Sequence, residues 1–150
     1  YVEQENKELG FVGKPKRVDV KLLKEIIKED FIPVIVPMGL DEKGVAYNIN
    51  ADTAAGAIAR SIKSRRLMLL TDIDGVLDNN DKLISEINTI EAKELINTET
   101  IHGGMIPKVK TCIDAINNGV RAVVILDGRK PHSILFELFS DKGSGTLIRK

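Results

Sequence analysis

Three short apolar runs constrain the fold of this chain more than any other sequence feature. They occupy residues 32–36, 67–71 and 122–126. Apolar residues at helical spacing separate them, and the helices expected from this pattern cover 19–27, 51–61, 89–96, 105–117 and 131–139. Strands that alternate with helices at this pace predict an α/β fold, layered α/β/α, with a mainly parallel sheet.

The ends of the three predicted strands are the first place to search for a functional site. In α/β folds, ligands bind beyond the carboxyl ends of the strands. The segments 37–39, 71–72 and 127–128 follow the three runs. We therefore expect these segments to line one edge of the sheet.

Composition restricts the functional classes. The chain has 150 residues, with 22 basic and 22 acidic side chains, and this balance argues against a dedicated nucleic-acid binder. A single cysteine, Cys112, excludes an intramolecular disulfide and favours a reducing cytoplasm. No apolar run approaches the roughly 20 residues of a membrane span. The chain opens at Tyr1 without a methionine, and we expect residues 1–17 to be a linker continuing from a preceding lobe.

The segment 48–52 combines two amides and a carboxylate, Asn48, Asn50 and Asp52, at the start of a predicted helix. Unpaired backbone N–H groups and the helix dipole favour an anion at such a position. The segment is therefore a candidate for binding a carboxylate or a phosphate. An alternative interpretation is a simple helix cap followed by a first-turn acid, with no ligand.

A second candidate is the segment 103–108, in which Gly103 and Gly104 precede a helix that carries Lys108 in its first turn. Glycines allow the backbone to approach a phosphate closely, and a lysine can neutralise charge on a phosphoryl group in transfer. The Gly-x-x-x-x-Gly-Lys-Ser/Thr pattern of a P-loop is absent. A loop followed by a solvated lysine is the alternative.

The third candidate, Asp72-Ile73-Asp74-Gly75 after a predicted strand, resembles the first motif of haloacid-dehalogenase-type phosphatases. In that family the first aspartate is the nucleophile and the second is a general acid/base. The family also needs a Ser or Thr at the end of a later strand and a downstream acidic pair. The next strand instead ends Leu126-Asp127-Gly128-Arg129, so the phosphatase interpretation is disfavoured.

Six segments, in this order, resemble the C-terminal, nucleotide-binding half of the acetylglutamate branch of the amino-acid kinase family. They are 9–13 (LGFVG), 32–37 (IPVIVP), 47–55 (YNINADTAA), 70–77 (LTDIDGVL), 103–108 (GGMIPK) and 145–146 (GT). The resemblance implies a carbamate kinase-like α/β fold, in which residues 18–150 form an ATP-binding C-terminal lobe. It also implies ATP-dependent phosphorylation of the side-chain carboxylate of N-acetyl-L-glutamate, a step of arginine biosynthesis.

The same resemblance implies a role for individual residues. Asn48 and Asn50 would bind the acetylated substrate, Asp52 would orient the catalytic lysines, and Lys108 would stabilise the phosphoryl group. Five residues would surround ATP: Thr71, Asp72, Leu77, Gly104 and Met105. Mg²⁺ would be held mainly by the nucleotide phosphates, so no protein metal ligand is predicted. Because the family's N-terminal half is not found before Tyr1, we expect the chain to show little or no activity alone.

A further set of residues, His132, Glu137, Gly143 and Gly145, resembles the site of arginine-inhibited members of the family. There Glu137 would pair with the guanidinium of L-arginine as a feedback inhibitor. The complete enzyme is expected to be a homo-oligomer. Two alternatives stay open, namely another amino-acid kinase with a different acceptor, and a non-catalytic nucleotide-sensing module.

Overall fold

A computed structural model describes all 150 residues, Tyr1–Lys150. The chain forms two compact units, Tyr1–Ile62 and Lys63–Lys150. The sequence predicts a linker over residues 1–17 and an ATP-binding lobe over residues 18–150, and this functional division stays a prediction. Residues 1–17 contain two short strands and a 3-10 helix. No helix is long and apolar enough to cross a membrane.

The first unit is built from two small antiparallel sheets and two helices. Strand β1 (Val2–Gln4) pairs with β2 (Gly13–Pro15), and β3 (Met38–Leu40) pairs with β4 (Ala46–Asn48). The β3–β4 pair is a hairpin. The helices are α1 (Val20–Lys28) and α2 (Ala51–Ile62), and a 3-10 helix covers Lys7–Leu9. Val2, Tyr47 and Ile49 form the small buried core of the unit.

The helix starts of the first unit follow from side-chain caps. The Asp19 carboxylate accepts a hydrogen bond from the Lys21 N–H at 3.0 Å, which begins α1 at the expected position. The Asn50 side chain accepts from the Thr53 N–H at 3.1 Å and caps α2 in the same way. Both caps supply acceptors for N–H groups that a helix leaves unpaired in its first turn.

The prediction of a strand over residues 32–36 is wrong. The structure assigns no strand there, and Ile32 and Val34 are 89% and 93% exposed. A strand needs a partner for its backbone groups, and no strand pairs with this segment. Pro33 and Pro37 also lack the N–H groups that a ladder uses. Apolar β-branched composition was therefore insufficient to form a strand.

The second unit contains a four-stranded sheet with the order β5-β7-β8-β6. The β5–β7 and β6–β8 pairs are parallel, whereas β7 and β8 are antiparallel. The sheet is thus mixed and mostly parallel, which confirms the predicted class. The strands are β5 (Arg66–Thr71), β6 (Glu86–Asn88), β7 (Ala122–Asp127) and β8 (Gly145–Arg149). The helices are α3 (Thr89–Asn97), α4 (Met105–Asn117) and α5 (Ser133–Phe139).

The core of the second unit is centred on β7, where residues 123–126 are completely buried. The apolar face of α4 packs on this sheet, with Val109, Cys112 and Ile116 at most 1% exposed. Ile148 of β8 is also fully buried. Apolar runs of this kind are typical of central strands that are covered on both faces.

Gly145 explains how β8 can lie so close to β7. A Cβ built on Gly145 would collide with the Ile125 carbonyl oxygen and lie 2.8 Å from the Leu126 Cβ. Only a residue without a side chain fits there, so the glycine allows the antiparallel pair to close. The next residue on β8, Thr146, contacts the loop that follows β5.

Candidate functional site

A cavity of about 550 Å³ in the second unit brings together all the residues predicted to contact ATP. This volume lies in the range of small-molecule sites. Besides Lys108, the cavity is lined by the five predicted nucleotide residues, which are Thr71, Asp72, Leu77, Gly104 and Met105. These residues come from three segments of the chain that are separated by up to 37 positions.

The carboxyl end of β5 forms one wall of the cavity, and the carboxyl end of the neighbouring parallel strand β7 lies beside it. Thr71 and Asp127 are register partners in the parallel pair. The Gly128 N–H donates to the Thr71 carbonyl at 2.9 Å, and the Thr71 hydroxyl donates to Asp72 Oδ1 at 3.3 Å. The predicted adjacency of 71–72 and 127–128 is therefore confirmed. The prediction that 37–39 lines the same sheet edge is wrong, because residues 38–39 belong to the separate β3–β4 sheet.

Asp127 is a buried carboxylate at this edge, 2% exposed, and Arg129 satisfies it. Arg129 donates to the Asp127 carboxylate from Nε at 3.0 Å, from Nη2 at 2.9 Å and from its backbone N–H at 2.9 Å. The side-chain hydrogen bonds of Arg129, followed by its backbone N–H, lower the pKa of Asp127 to about 2. The same contact with Asp127 raises the pKa of Arg129. The pair is therefore ionised at every physiological pH.

The loop after β5 forms a second wall of the cavity, with Gly75, Val76 and Leu77. Gly75 has φ of +152°, and a Cβ there would lie 2.6 Å from Thr146 Oγ1. Leu77 forms an isolated bridge with Leu83, which closes a small hairpin. Any side chain at position 75 would push this loop away from the sheet.

A tight turn follows that loop and presents Asp78 to the cavity. Asp78 Oδ1 accepts from the backbone N–H groups of Lys82 at 3.0 Å and Asn80 at 2.8 Å. These two bonds, the Lys82 bond first, lower the pKa of Asp78. The carboxylate thus fixes the turn and stays charged.

The third wall is the segment 100–108, which ends in the first turn of α4. Gly103 has φ of +55°, a left-handed conformation that glycine adopts without strain. Gly104 is the N-cap residue and offers no side-chain cap. Lys108 is partly buried in the first turn and lines the cavity. The dipole of this 13-residue helix adds positive potential at the same place.

The cavity has apolar and charged parts that suit a nucleotide. Five apolar side chains line it, which are Ile73, Val76, Leu77, Ile101 and Met105. They offer contact area to a planar base, whereas Lys108 and the α4 N-terminus offer positive charge to phosphates. Asp72, Asp78 and Asp81 add three carboxylates.

A metal ion would complement those carboxylates, but the protein groups alone do not form a metal site. No group of three or more His, Cys, Asp or Glu side chains is placed to hold an ion. That Mg²⁺ is held mainly by the phosphates stays a prediction.

The residues predicted to bind the acetylated substrate lie in the first unit. Asn48, Asn50 and Asp52 are at the end of β4 and the start of α2. Asn48 and Asn50 are exposed, because they alternate with the buried Tyr47 and Ile49. The structure thus places the two amides on one face, with Asp52 in the first helical turn. Their assignment to a substrate stays a prediction.

The first unit also has a cavity of about 590 Å³, larger than that of the second unit. It is lined mainly by apolar side chains of α1 and of residues 33–36, and its charged members are Arg17 and Asp19. Asn48, Asn50 and Asp52 do not line it. The polar chemistry expected of a phosphoryl-transfer site is therefore in the smaller cavity.

Of the predicted effector residues, Glu137 and Gly143 are in contact and His132 is exposed at the start of α5. Glu137 is 8% exposed, and its Oε2 accepts from the Ser144 N–H at 3.0 Å. A Cβ on Gly143 would lie 2.7 Å from that oxygen. Gly145 begins β8 two residues later. Whether these residues bind arginine stays a prediction.

Sequence reasoning missed two participants at these places. Arg66 Nη1 lies 3.6 Å from Glu137 Oε1, although 71 positions separate the two residues in the sequence. Thr146 is fully buried and hydrogen-bonded to the loop after β5. The motif Gly145-Thr146 was the only sequence signal for this residue, and it did not indicate which residues Thr146 contacts. Lys130 pairs with Asp74 at 2.8 Å beside the same cavity.

Comparison with known proteins places this geometry in a family. The model of the amino acid kinase family matches residues 1–127. The chain therefore belongs to the amino acid kinase family.

Curated relatives narrow the similarity to one branch. The chain is 61% identical over 149 residues to an acetylglutamate kinase of Pelagibacter ubique, covering 99% of this chain and 52% of the relative. It is 54% identical over 143 residues to an acetylglutamate kinase of a Bradyrhizobium strain, covering 95% of this chain and 48% of the relative. The chain thus spans about half the length of the curated relatives it matches.

Solved structures confirm the fold. An N-acetylglutamate synthase of Neisseria gonorrhoeae, complexed with coenzyme A and L-arginine, matches with a TM-score of 0.89 and 27% identity. That match covers 95% of this chain and 33% of the synthase. A carbamate kinase of Giardia lamblia bound to AMP-PNP matches with a TM-score of 0.69 and 21% identity, over 93% of this chain and 47% of the kinase. The predicted carbamate kinase-like α/β fold is confirmed.

Proposed function

We propose that this chain supplies the nucleotide-binding half of an ATP-dependent kinase that phosphorylates the side-chain carboxylate of N-acetyl-L-glutamate, a step of arginine biosynthesis. The observation that carries the proposal is the 550 Å³ cavity, which Lys108 and all five predicted nucleotide residues line. The two acetylglutamate kinases that match at 61% and 54% identity support the choice of substrate.

The residues of the chain would act by positioning and by charge. Phosphoryl transfer needs alignment of the reacting groups and neutralisation of developing negative charge, and little covalent participation by the protein. Lys108, at the positive end of α4, would stabilise the phosphoryl group as it moves from ATP to the substrate carboxylate. Asp52 would orient lysine side chains, and Asn48 and Asn50 would hold the acetylated amino acid by hydrogen bonds.

Nucleotide binding and turnover are tested separately. Calorimetry with AMP-PNP and Mg²⁺ on the 150-residue chain is expected to detect binding. A coupled assay of ADP release is expected to detect little or no turnover by the chain alone. Turnover is expected in a fusion with the part of the Pelagibacter ubique relative that this chain does not match. Ordinary turnover by the chain alone would disprove the half-site assignment.

Lys108→Ala in that fusion tests the catalytic assignment. Loss of one transition-state donor typically lowers kcat by about 100-fold or more. The matched control is Lys110→Ala, because Lys110 lies on the same helix but is exposed and does not line the cavity. Equal rates for both variants would remove Lys108 from catalysis. Urea unfolding of both variants would separate a lost rate from lost stability.

The acceptor is tested with N-acetyl-L-glutamate, L-glutamate and carbamate in the same fusion. Turnover with only one of the last two would indicate another amino-acid kinase. Nucleotide binding without turnover of any acceptor would favour a nucleotide-sensing module.

A further inference from the structure

Thr146 is a buried polar residue to which sequence reasoning assigned no function. It lies on β8, next to Gly145, and is 0% exposed. Its hydroxyl accepts a hydrogen bond from the Val76 N–H at 2.8 Å and donates one to the Ile84 carbonyl at 2.6 Å. One hydroxyl can donate one hydrogen bond and accept another, so the same side-chain oxygen pairs both backbone groups.

The two backbone groups held by Thr146 belong to opposite sides of the hairpin after β5. The Ile84 N–H donates to the Val76 carbonyl at 2.9 Å, so Val76 and Ile84 are also linked to each other. Thr146 therefore connects three segments, which are β8, the loop 75–77 and the returning side of the hairpin at Ile84. Gly75 fits beside the hydroxyl only because it lacks a Cβ.

Thr146 belongs to the sheet and accepts the hydrogen bond of the Val76 N–H, while the Leu147 N–H of the same strand donates to the Ser85 carbonyl at 2.9 Å. β8 is paired with β7 on one side and β6 on the other. Within the hairpin, an isolated bridge joins Leu77 and Leu83, and the Asp78 N–H donates to the Lys82 carbonyl at 2.8 Å. Because Gly75, Val76 and Leu77 line the cavity, the position of this wall depends on the Thr146 hydroxyl.

We infer that Thr146 is a positioning residue for nucleotide binding, which holds the loop 75–77 at the distance from α4 that the ligand requires. It does not line the cavity and would act only through the backbone of Val76 and Ile84. The inference rests on the proposed function, since the ligand of this cavity is taken to be a nucleotide.

Thr146→Val tests the inference, because valine keeps the shape and removes both hydrogen bonds. The Kd for AMP-PNP with Mg²⁺, measured by calorimetry on the 150-residue chain, is expected to rise about ten-fold, which corresponds to about 1.4 kcal/mol. Thr146→Ser keeps the hydroxyl and is expected to restore binding. If Thr146→Val does not fold, Thr146→Cys, which has a weaker donor and acceptor, is expected to give an intermediate Kd.

Two controls separate positioning from general loss of stability. Ile148→Val removes a buried methylene from the same strand and is expected to lower stability without changing Kd. Thr111→Val removes a hydroxyl bond to the Pro107 carbonyl outside the cavity and is also expected to leave Kd unchanged. Amide exchange of Val76 is expected to accelerate in Thr146→Val and not in Ile148→Val.

The outcomes distinguish this inference from the proposed function. If the unaltered chain does not bind AMP-PNP, the nucleotide assignment fails and the inference falls with it. If the unaltered chain binds and Thr146→Val binds equally well, the inference is wrong and the nucleotide assignment stands. A Kd that rises equally in Ile148→Val would assign Thr146 a purely structural role and would also overturn the inference.

Discussion

Replacement of Arg129 by glutamine tests the electrostatic account of the strand end that borders the cavity. Arg129 contributes two side-chain hydrogen bonds to Asp127, at 3.0 and 2.9 Å, and its positive charge. In Arg129→Gln the backbone N–H bond remains, and so does the cost of keeping a carboxylate 2% exposed. We expect the pKa of Asp127 to rise from about 2 toward its ordinary value of 3.8.

The shift has a predictable effect on the stability of the protein. The pKa of Asp127 is lower in the folded chain than in the unfolded chain, so the unfolded chain binds the proton more tightly. The stabilisation is therefore complete above about pH 3.8 and is lost as the pH falls toward 2. In Arg129→Gln, the free energy of unfolding is expected to change less over this window than in the unaltered protein.

The assay is carboxyl NMR titration of Asp127, together with urea unfolding at several values of pH between 2 and 6. Lys130→Gln is the matched control, because Lys130 is adjacent in sequence and makes its ion pair with Asp74 instead. The charge of Lys130 contributes least to the low pKa of Asp127, so this control is expected to move that pKa little. An Asp127 pKa that stays near 2 in Arg129→Gln would refute the reasoning.

Two further perturbations test the packing and the local signals of the second unit. Leu126→Ala, at a completely buried position of β7, is expected to lower the free energy of unfolding by about 2–5 kcal/mol, whereas Leu138→Ala, at a residue 49% exposed, should cost much less in the same urea titration. Glu91→Ala removes the side chain that accepts the Asn88 N–H at 2.8 Å and should cost about 1 kcal/mol. Glu94→Ala, without a capping role, is its control, and equal losses would contradict the cap.

The parts of the fold that could be predicted are those encoded by neighbouring residues. Helix α4 was predicted with its observed limits, because apolar positions recur at helical spacing and Gly119 follows its end. The segment 32–36 was predicted wrongly, since strand formation depends on a partner that local sequence does not specify. The short strand β6 was missed for the same reason, as its partner β8 lies about 60 positions away.

Prediction of the site was also successful for residues marked by local motifs and unsuccessful for those that depend on a distant partner. Six of the residues that line the cavity were predicted because ordered motifs mark them, and the structure places Thr71, Leu77 and Lys108 in one cavity. Their contact with a nucleotide stays a prediction. Arg66 beside Glu137 and Thr146 beside Val76 were not predicted. Each pairs with a residue about 70 positions away, and neither carries a local signal of its partner.

The contact between Glu137 and Ser144 has a consequence for how ligands at two places would influence each other. Ser144 precedes Thr146 by two residues, so the backbone held by the Glu137 carboxylate leads directly into the strand that fixes the loop 75–77. If a guanidinium binds Glu137 and breaks its hydrogen bond with the Ser144 N–H, we expect affinity at the nucleotide cavity to change. Thermodynamic reciprocity then requires the nucleotide to alter the affinity for the guanidinium by the same factor.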